Sequence, residues 1–372
     1  RWTLSAVYVE GTMRGLFTLL FGAGVILFTS RAESMNGSIQ TADLYYRRVL
    51  WLRCLGVFHM FVLLQPADIL LRYGLAGLVL CSFRSLSATK LVLLASLMLA
   101  LFSGAALVST LAIADLREEA HRVLEQGTDG PLNENERFVF EEWAAYQASY
   151  WPTEDAIVTD IENRTGDWKT LFLYNADSVP YLDTITLASG VGNDLMMMFL
   201  GMALMAFGIL NGARSITFYL LLTAIGYGIG LPLRIWEVWS SWATSFDSST
   251  LGWRPFAQCA RAAMTLGHVG LFFLLWSTCK RTRLSRALAA VGRLALTNYI
   301  AQTVIANLIF TSIGLSWFGL LDRAQAYFVM VCIWITQVIF SLWWLSRFRF
   351  GPLEWLWRSL TYWRAQPMRR TS

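Results

Sequence analysis

Apolar residues run along this chain in blocks of near-membrane length, and the polar residues collect between the blocks. Nine such blocks stand out, at approximately 11–30, 48–65, 68–83, 90–113, 191–213, 214–234, 256–279, 287–313 and 324–346. A membrane-crossing helix needs roughly 20 predominantly apolar residues, so each block predicts one span. The third is short and is expected to be tilted or partly interfacial. No repeat of 20 to 50 residues and no low-complexity tract is visible.

Composition supports the same class. Of 372 residues, 56% are hydrophobic and only 15% charged, against about a quarter charged in soluble domains. The chain therefore reads as an all-α, polytopic transmembrane helix bundle of about nine spans. The net charge of +5 is spread between apolar blocks and forms no dense basic patch, which excludes nucleic acid as a partner. Cys54, Cys81, Cys259, Cys279 and Cys332 lie in apolar blocks without metal-type spacing, and read as small core residues. No metal site is expected.

Charge orients the spans. Arg31, Arg47 and Arg48, then Arg84 and Lys90, then Lys280, Arg281, Arg283 and Arg286, and finally Arg347, Arg349, Arg358, Arg364, Arg369 and Arg370 fall on one side if the blocks alternate. Basic loops are retained in the cytoplasm. The turn Gln65-Pro66-Ala67-Asp68 and the loop from Gly314 to Asp322 then lie outside, and the C-terminus inside. The same alternation puts Arg1 outside. With no initiator Met, at least one further span is expected upstream.

Residues 115 to 190 interrupt the pattern. From Asp115 to Asp183 there are 16 acidic residues against five Arg or Lys. The expected organisation is N-terminal membrane helices over 1–114, an acidic extracytoplasmic cap over 115–190, C-terminal membrane helices over 191–346 and a cytoplasmic interfacial tail over 347–372. Leu111 to Gln126 predicts a helix leaving the bilayer, ended by Gly127 and Gly130-Pro131. Asn133 to Ala148, with Phe138, Phe140, Trp143 and Tyr146, predicts an amphipathic helix whose aromatics cover the outer face of the membrane domain. His121 is expected in solvent.

Ionisable groups at membrane depth are costly and often functional. His59 lies in the second block, one turn from Gly56, which allows close helix approach. Asp68 and Arg72 follow at i,i+4 spacing. His59 is a candidate general base with Asp68 either orienting it or pairing with Arg72; equally, it is a buried histidine satisfied by backbone. His268 shares a helical face with Arg261 and Thr265. Arg261 either binds an anion bidentately or snorkels to the interface. In the first block, Arg14 and Thr18 share a face with Gly11, Gly15 and Gly22, a tightly packed helix with one charge turned inward.

Val291-Gly-Arg-Leu-Ala-Leu-Thr-Asn-Tyr-Ile-Ala-Gln-Thr-Val304 is unusually polar for an apolar block. Asn298 and Gln302 fall on one face, Arg293, Thr297 and Asn307 on the other, so this helix should contact protein on several sides. Its polar groups serve either as interhelical hydrogen bonds or as the wall of a substrate path. After the last block, Gly351-Pro352 breaks the helix, Glu354 and Arg358 are spaced to pair, and Trp355, Trp357, Tyr362 and Trp363 suit the headgroup zone.

Two stretches, Gly292-Arg-Leu-Ala-Leu-Thr-Asn-Tyr299 and Gly351-Pro-Leu-Glu-Trp-Leu-Trp-Arg-Ser-Leu-Thr-Tyr362, resemble the most distinctive motifs of the YeiB-like bacterial membrane proteins, the family carried as domain of unknown function 418. Leu16-Phe-Thr-Leu-Leu-Phe-Gly22, His59 with Ala67-Asp68-Ile-Leu, and Phe199-Leu-Gly-Met202 match in the right order. The resemblance covers nearly the whole chain. It departs at the start, where the family's usual Asp-x-x-Arg-Gly element is absent.

The resemblance implies a fold distantly similar to membrane acyltransferases, including those that move an acetyl group from cytoplasmic acetyl-CoA to an extracytoplasmic sugar. In those relatives the catalytic His lies near N-terminal spans unmatched here, so no catalytic residue carries over. The expected activity is transfer of an acyl group to an envelope glycan or lipid, with His59 or His268 as base. Arg14 or Arg261 would hold an anionic donor, and Asp68, Arg72, Asn298 and Gln302 are further candidates for binding substrate. No bound cofactor is expected, with acyl-CoA as co-substrate. Membrane lipids surround the chain, a homo-oligomer is left open, and the expected location is the bacterial inner membrane. The alternative is a transporter or exporter of a lipid or small amphiphile.

Overall fold

An apolar segment in lipid satisfies its backbone only within itself, as a helix does. A computed structural model of the chain describes residues 2–125, 133–177, 184–244, 247, 252–279 and 282–369. The breakers Gly127 and Gly130-Pro131, the basic pair Lys280-Arg281, and Arg1 and Arg370 lie outside these residues. The described residues are helical, with no strand beyond one isolated bridge between Phe348 and Arg369.

The helices are α1 (Trp2–Tyr8), α2 (Thr12–Asn36), α3 (Ser38–Phe61), α4 (Ile69–Leu80), α5 (Ala88–Glu125), α6 (Glu134–Tyr150), α7 (Glu154–Thr165) and α8 (Trp168–Asp177). They continue with α9 (Thr184–Ala206), α10 (Ile216–Ala243), α11 (Ala257–Cys279), α12 (Arg283–Arg293), α13 (Ala295–Phe310), α14 (Arg323–Arg347) and α15 (Pro352–Tyr362).

Among the described residues, six helices are long and apolar enough to cross a membrane: Ser5–Ser34, Ala88–Glu125, Leu187–Ala206, Ile216–Ala243, Arg254–Ser277 and Arg323–Arg347. The blocks at 68–83 and 287–313 yield shorter apolar helices, Ile69–Phe83 and Ala295–Phe310. The block at 48–65 belongs to α3, which starts ten residues earlier and carries Asp43, Arg47, Arg48 and Arg53. The block at 287–313 is not one helix. It breaks at Leu294 into basic, amphipathic α12 and apolar α13.

The chain divides into two compact units, each assembled from separated stretches. The first comprises Arg1–Gly24, Leu86–Ile157 and Leu195–Leu274. Its helices meet backbone to backbone through glycines. A Cβ on Gly22 would collide with the Met198 backbone, and one on Gly201 with that of Leu19, so α2 and α9 touch along a seam of small residues. Likewise a Cβ on Gly226 of α10 would strike the Gly267 backbone of α11, and one on Gly267 the Tyr227 ring. Close packing of this kind holds helices together where lipid removes the hydrophobic difference between inside and outside. Leu19, Met196, Met197, Tyr219 and Val269 fill the adjoining core.

In the same unit α5 runs unbroken for 38 residues, on the order of 57 Å. Its far end carries α6, which opens with a capping box between Asn133 and Glu136. Val139 and Trp143 bury against Ala120 of α5, while Phe138 and Phe140 stay exposed. The expectation that all four aromatics form one covering face therefore needs correction. Positions 139, 143 and 146 share a face; 138 and 140 point about 100° to either side of 139. His121 is exposed, as expected, with its ring 6.4 Å from Trp143.

The second unit comprises Val25–Ser85, Val158–Asp194 and Leu275–Ser372. Here α3 and α4 form a hairpin so tight that a Cβ on Gly56 would strike the Leu71 backbone, and one on Gly74 would crowd Arg53. The Trp357 indole of α15 donates to the Arg48 carbonyl at 2.8 Å, and the Arg48 guanidinium lies 4.0 Å over that ring. Glu354 has the i,i+4 spacing to meet Arg358. Instead it accepts from the backbone N–H groups of Leu296 (2.7 Å) and Thr297 (3.0 Å) and from the Thr297 hydroxyl (2.5 Å), while Arg358 stacks over Phe350. A carboxylate at a helix start meets both the unpaired N–H groups and the positive end of the helix dipole. That demand outweighs an exposed i,i+4 pair, worth only about 0.3–0.5 kcal/mol.

Of the cysteines, Cys81 is buried and Cys259 half-buried, but Cys54 and Cys332 are exposed and not core residues. Gly201→Ala should lower stability by about 1–3 kcal/mol through overpacking, whereas Gly104→Ala, with open space around it, should be neutral or slightly stabilising. Thermal unfolding of the purified protein in detergent checks both.

Candidate functional site

Asp68 is the residue on which the candidate site converges. It is the N-cap of α4, where its Oδ2 accepts from the Leu71 N–H at 2.7 Å. Its Oδ1 lies 2.6 Å from His59 Nδ1, on the last turn of α3, and accepts from the Tyr299 hydroxyl of α13 at 3.1 Å. On the far side of the imidazole, Nε2 is 2.8 Å from the Thr303 hydroxyl, one turn along α13 from Tyr299. The Tyr299 ring closes the site with an edge-on contact to His59 at 5.0 Å between centroids. His59 and Asp68 have no exposed surface at all, and Thr303 is 8% exposed.

With Asp68 ionised and the His59 ring neutral, the partners fix the tautomer. An ionised carboxylate only accepts, so Nδ1 of His59 carries the proton donated to Asp68. In the neutral ring Nε2 is then an acceptor, and the Thr303 hydroxyl donates to it. The result is a carboxylate–imidazole–hydroxyl chain in the order that base catalysis uses: orienting acid, base, then the hydroxyl to be activated. Gly56 makes the geometry possible, because a Cβ there would lie 2.8 Å from Asp68 Oδ2.

Of the two roles open to Asp68, the structure selects His59. Arg72 points to a different acid, donating from Nε to Asp194 Oδ2 at 2.9 Å and from Nη2 to Oδ1 at 3.0 Å. Both partners are nearly fully buried. Asp194 was missed in the sequence, although an acid set in the apolar run before Met196-Met197-Met198 is itself a signal that a buried cation must be near. Thr303 was missed for a better reason: a lone Thr in an apolar helix carries no spacing signature.

Asn298 bonds Ser341 of α14 at 3.1 Å, and Gln337 donates to its carbonyl at 2.7 Å, which makes it an interhelical tie. Gln302 is half-buried. Further along α13, Asn307 donates to the Leu63 carbonyl at 2.6 Å. Here Ala306, Asn307 and Phe310 line a cavity of about 390 Å³, with Arg164, Thr311 and Trp317 on its other walls. Arg164 is already committed, to Asp160 at 2.8 Å and to the faces of Tyr174 and Phe318. The Tyr174 phenol hydrogen-bonds the same carboxylate, and that bond holds its pKa above the usual value.

The remaining candidates belong to the first unit. His268 Nδ1 donates to the Met264 carbonyl at 2.7 Å, and the residue lines an apolar cavity of about 240 Å³ with Leu16, Leu19 and Phe272. Among the described residues no carboxylate is bonded to it. Arg14, expected to turn inward, is exposed: Gly15 and Gly22 bring their helix against Thr265 and Met198, leaving no room for a guanidinium. Arg261 is half-buried against Gly11, and its Nε has no hydrogen-bond partner among the described residues. Arg234 is fully buried, bonded to Glu237 and to the carbonyls of Ala6 and Glu10. Among the described residues no three His, Cys, Asp or Glu side chains are grouped to hold a metal ion.

Residues 204–364 match the model of a protein family described as a protein of unknown function, DUF418. That stretch contains Tyr299, Thr303 and Glu354 but not His59 or Asp68. The uncharacterized protein YeiB of Escherichia coli (strain K12) is 30% identical, covering 98% of this chain and 86% of its own length. The uncharacterized protein YxaH of Bacillus subtilis (strain 168) is 28% identical, over 95% and 80%. An uncharacterized 39.9 kDa protein in the amylase 3' region of Bacillus acidopullulyticus is 27% identical, over 97% and 83%. No solved structure matches.

Removing one partner of a buried ion pair leaves an uncompensated charge and costs about 3–5 kcal/mol. Arg72→Met and Asp194→Leu should each destabilise the protein by that order. The double substitution should cost clearly less than their sum, giving a coupling of about 0.5–3 kcal/mol in thermal unfolding.

Proposed function

This chain belongs to the DUF418 family, and from that premise we propose that it is a multi-pass bacterial inner-membrane acyltransferase with His59 as its general base. The donor is a cytoplasmic acyl-CoA and the acceptor a hydroxyl of an envelope glycan or lipid. Adding α3, α4 and α13 to the six long apolar helices makes nine crossings, with the basic tail after α14 in the cytoplasm and the acidic segment outside.

One observation carries the reading: the buried hydrogen-bond chain Asp68–His59–Thr303. A base must lie within about 2.6–3.2 Å of the proton it takes, and Nε2 stands at 2.8 Å from a hydroxyl. Asp68 fixes the ring orientation and stabilises the imidazolium that forms when the proton arrives. Burial strengthens both effects, because the local dielectric is low. His268 has the same tautomer but only a backbone carbonyl behind it, which offers an imidazolium far less. His59 is therefore the stronger of the two candidates.

A second reading, transport of a lipid or small amphiphile, draws on two short helices. With 12 and 16 residues, α4 and α13 are only about 18 and 24 Å long, as the half-helices of transporters are. Their N-termini, however, are taken by Asp68 and Glu354, so neither is open to an anionic substrate.

Purified full-length protein in detergent, given isotope-labelled acetyl-CoA and an envelope glycan and lipid extract, should label the extract. His59→Ala should reduce labelling by about 10²–10⁴-fold, and His268→Ala should leave it within a few-fold. No acyl-CoA binding and no labelled product would sink the reading in favour of transport. Fused to the C-terminus, a reporter that fluoresces only in the cytoplasm should be bright; a dark reporter on stably inserted protein would reverse the topology.

A further inference from the structure

We propose that Thr303 is the nucleophile of this reaction and carries the acyl group as a covalent ester between donor and acceptor. The inference rests on the acyltransferase reading and deepens it. Three observations converge. The Thr303 hydroxyl is hydrogen-bonded to Nε2 of an imidazole whose Nδ1 is held by a buried carboxylate, at 2.8 and 2.6 Å. That is the nucleophile–base–orienter geometry of covalent acyl transfer. Most threonines of these helices spend their hydroxyl on the carbonyl four residues back, as Thr18, Thr29, Thr110, Thr265, Thr311 and Thr336 do. Thr303 bonds the imidazole of another helix. Finally, Thr303 lies on the face of α13 that continues through Ala306, Asn307 and Phe310, the wall of the 390 Å³ cavity, because steps of three, four and seven residues stay on one side of a helix.

The cavity supplies a reason for two steps. At about 390 Å³ it lies near the lower end of ligand pockets, roughly 300–1,000 Å³. Walled by Arg164 and Trp317, which the proposed topology puts outside, it suits one sugar-sized acceptor, while the cytoplasmic donor reaches Thr303 from the other end of α13. A covalent stage lets the two be used in turn.

In the first step the Thr303 oxygen attacks the thioester carbonyl and its proton passes to His59 Nε2, giving an imidazolium held by Asp68. The carbon–sulfur bond breaks, and the departing sulfur takes that proton and leaves as free thiol. In the second step the acceptor hydroxyl gives its proton to Nε2 and attacks the Thr303 ester. The bond between acyl carbon and Thr303 oxygen breaks, and the threonine oxygen recovers the proton from His59. Electrons and protons balance without any further reactant.

The test uses the full chain in detergent with labelled acetyl-CoA and no acceptor, quenched in acid and digested for mass spectrometry. One acetyl group on the peptide containing Thr303 is expected, removed by mild base and chased off by later addition of the envelope extract. Thr303→Val should lose the label and at least about a hundredfold of transfer, Thr303→Ser should recover both, and His59→Ala should give no label. Initial rates at varied donor and acceptor should give parallel double-reciprocal lines. Transfer without label at Thr303, together with intersecting lines or an active Thr303→Val variant, would overturn the covalent step and leave His59 as base. If neither transfer nor label is found with well-folded protein, the acyltransferase reading falls and this inference with it.

Discussion

A carboxylate buried where there is no water must be satisfied by the protein, and Asp68 meets that constraint with three elements at once. It closes the first turn of α4, holds the last turn of α3 through His59, and receives Tyr299 from α13. Ionising an isolated carboxyl in such surroundings would cost several kcal/mol. The cost is offset only when every one of these helices is in place. The demand of one side chain thus specifies how three helices pack, and the same packing leaves an imidazole nitrogen directed at Thr303.

Glu354 repeats this logic at the other end of α13. A carboxylate brought in from a helix some 57 residues later in the chain fills the start of α13 and links the Gly292–Tyr299 and Gly351–Tyr362 stretches. Separate in sequence, the two stretches are two halves of one contact. Asn298 is tied to Ser341 and Gln337, and Thr303 and Asn307 are tied to α3 and the turn after it. The helix that carries the proposed nucleophile is thus bonded to α3, α4, α14 and α15, as a catalytic group that must keep sub-ångström geometry requires.

The all-helical, membrane-length character of the chain was legible because lipid leaves the backbone so few choices. Its family was legible in the order of its motifs. His59 and Asp68 could be singled out because ionisable groups are rare in apolar blocks. Asp194 was legible by the same rule and passed over. Where sequence spacing offered a local partner, the structure chose a distant one. Asp68–Arg72 and Glu354–Arg358 both have i,i+4 spacing, yet the four residues bond elsewhere or stack on rings. Local spacing shows which groups can meet on one helix, not which distant group offers a better bond.

The sequence by itself determined the class of fold, the positions of most helices, and the small set of polar residues that had to find partners inside it. Only the tertiary structure decided who those partners are: His59 for Asp68, Asp194 for Arg72, the start of α13 for Glu354, and Thr303 for His59. The reason is physical. A helix follows from the hydrogen bonds and apolar surface of consecutive residues. The pairing of buried polar groups depends on which helix faces lie together, and these are set by contacts between residues up to 244 positions apart.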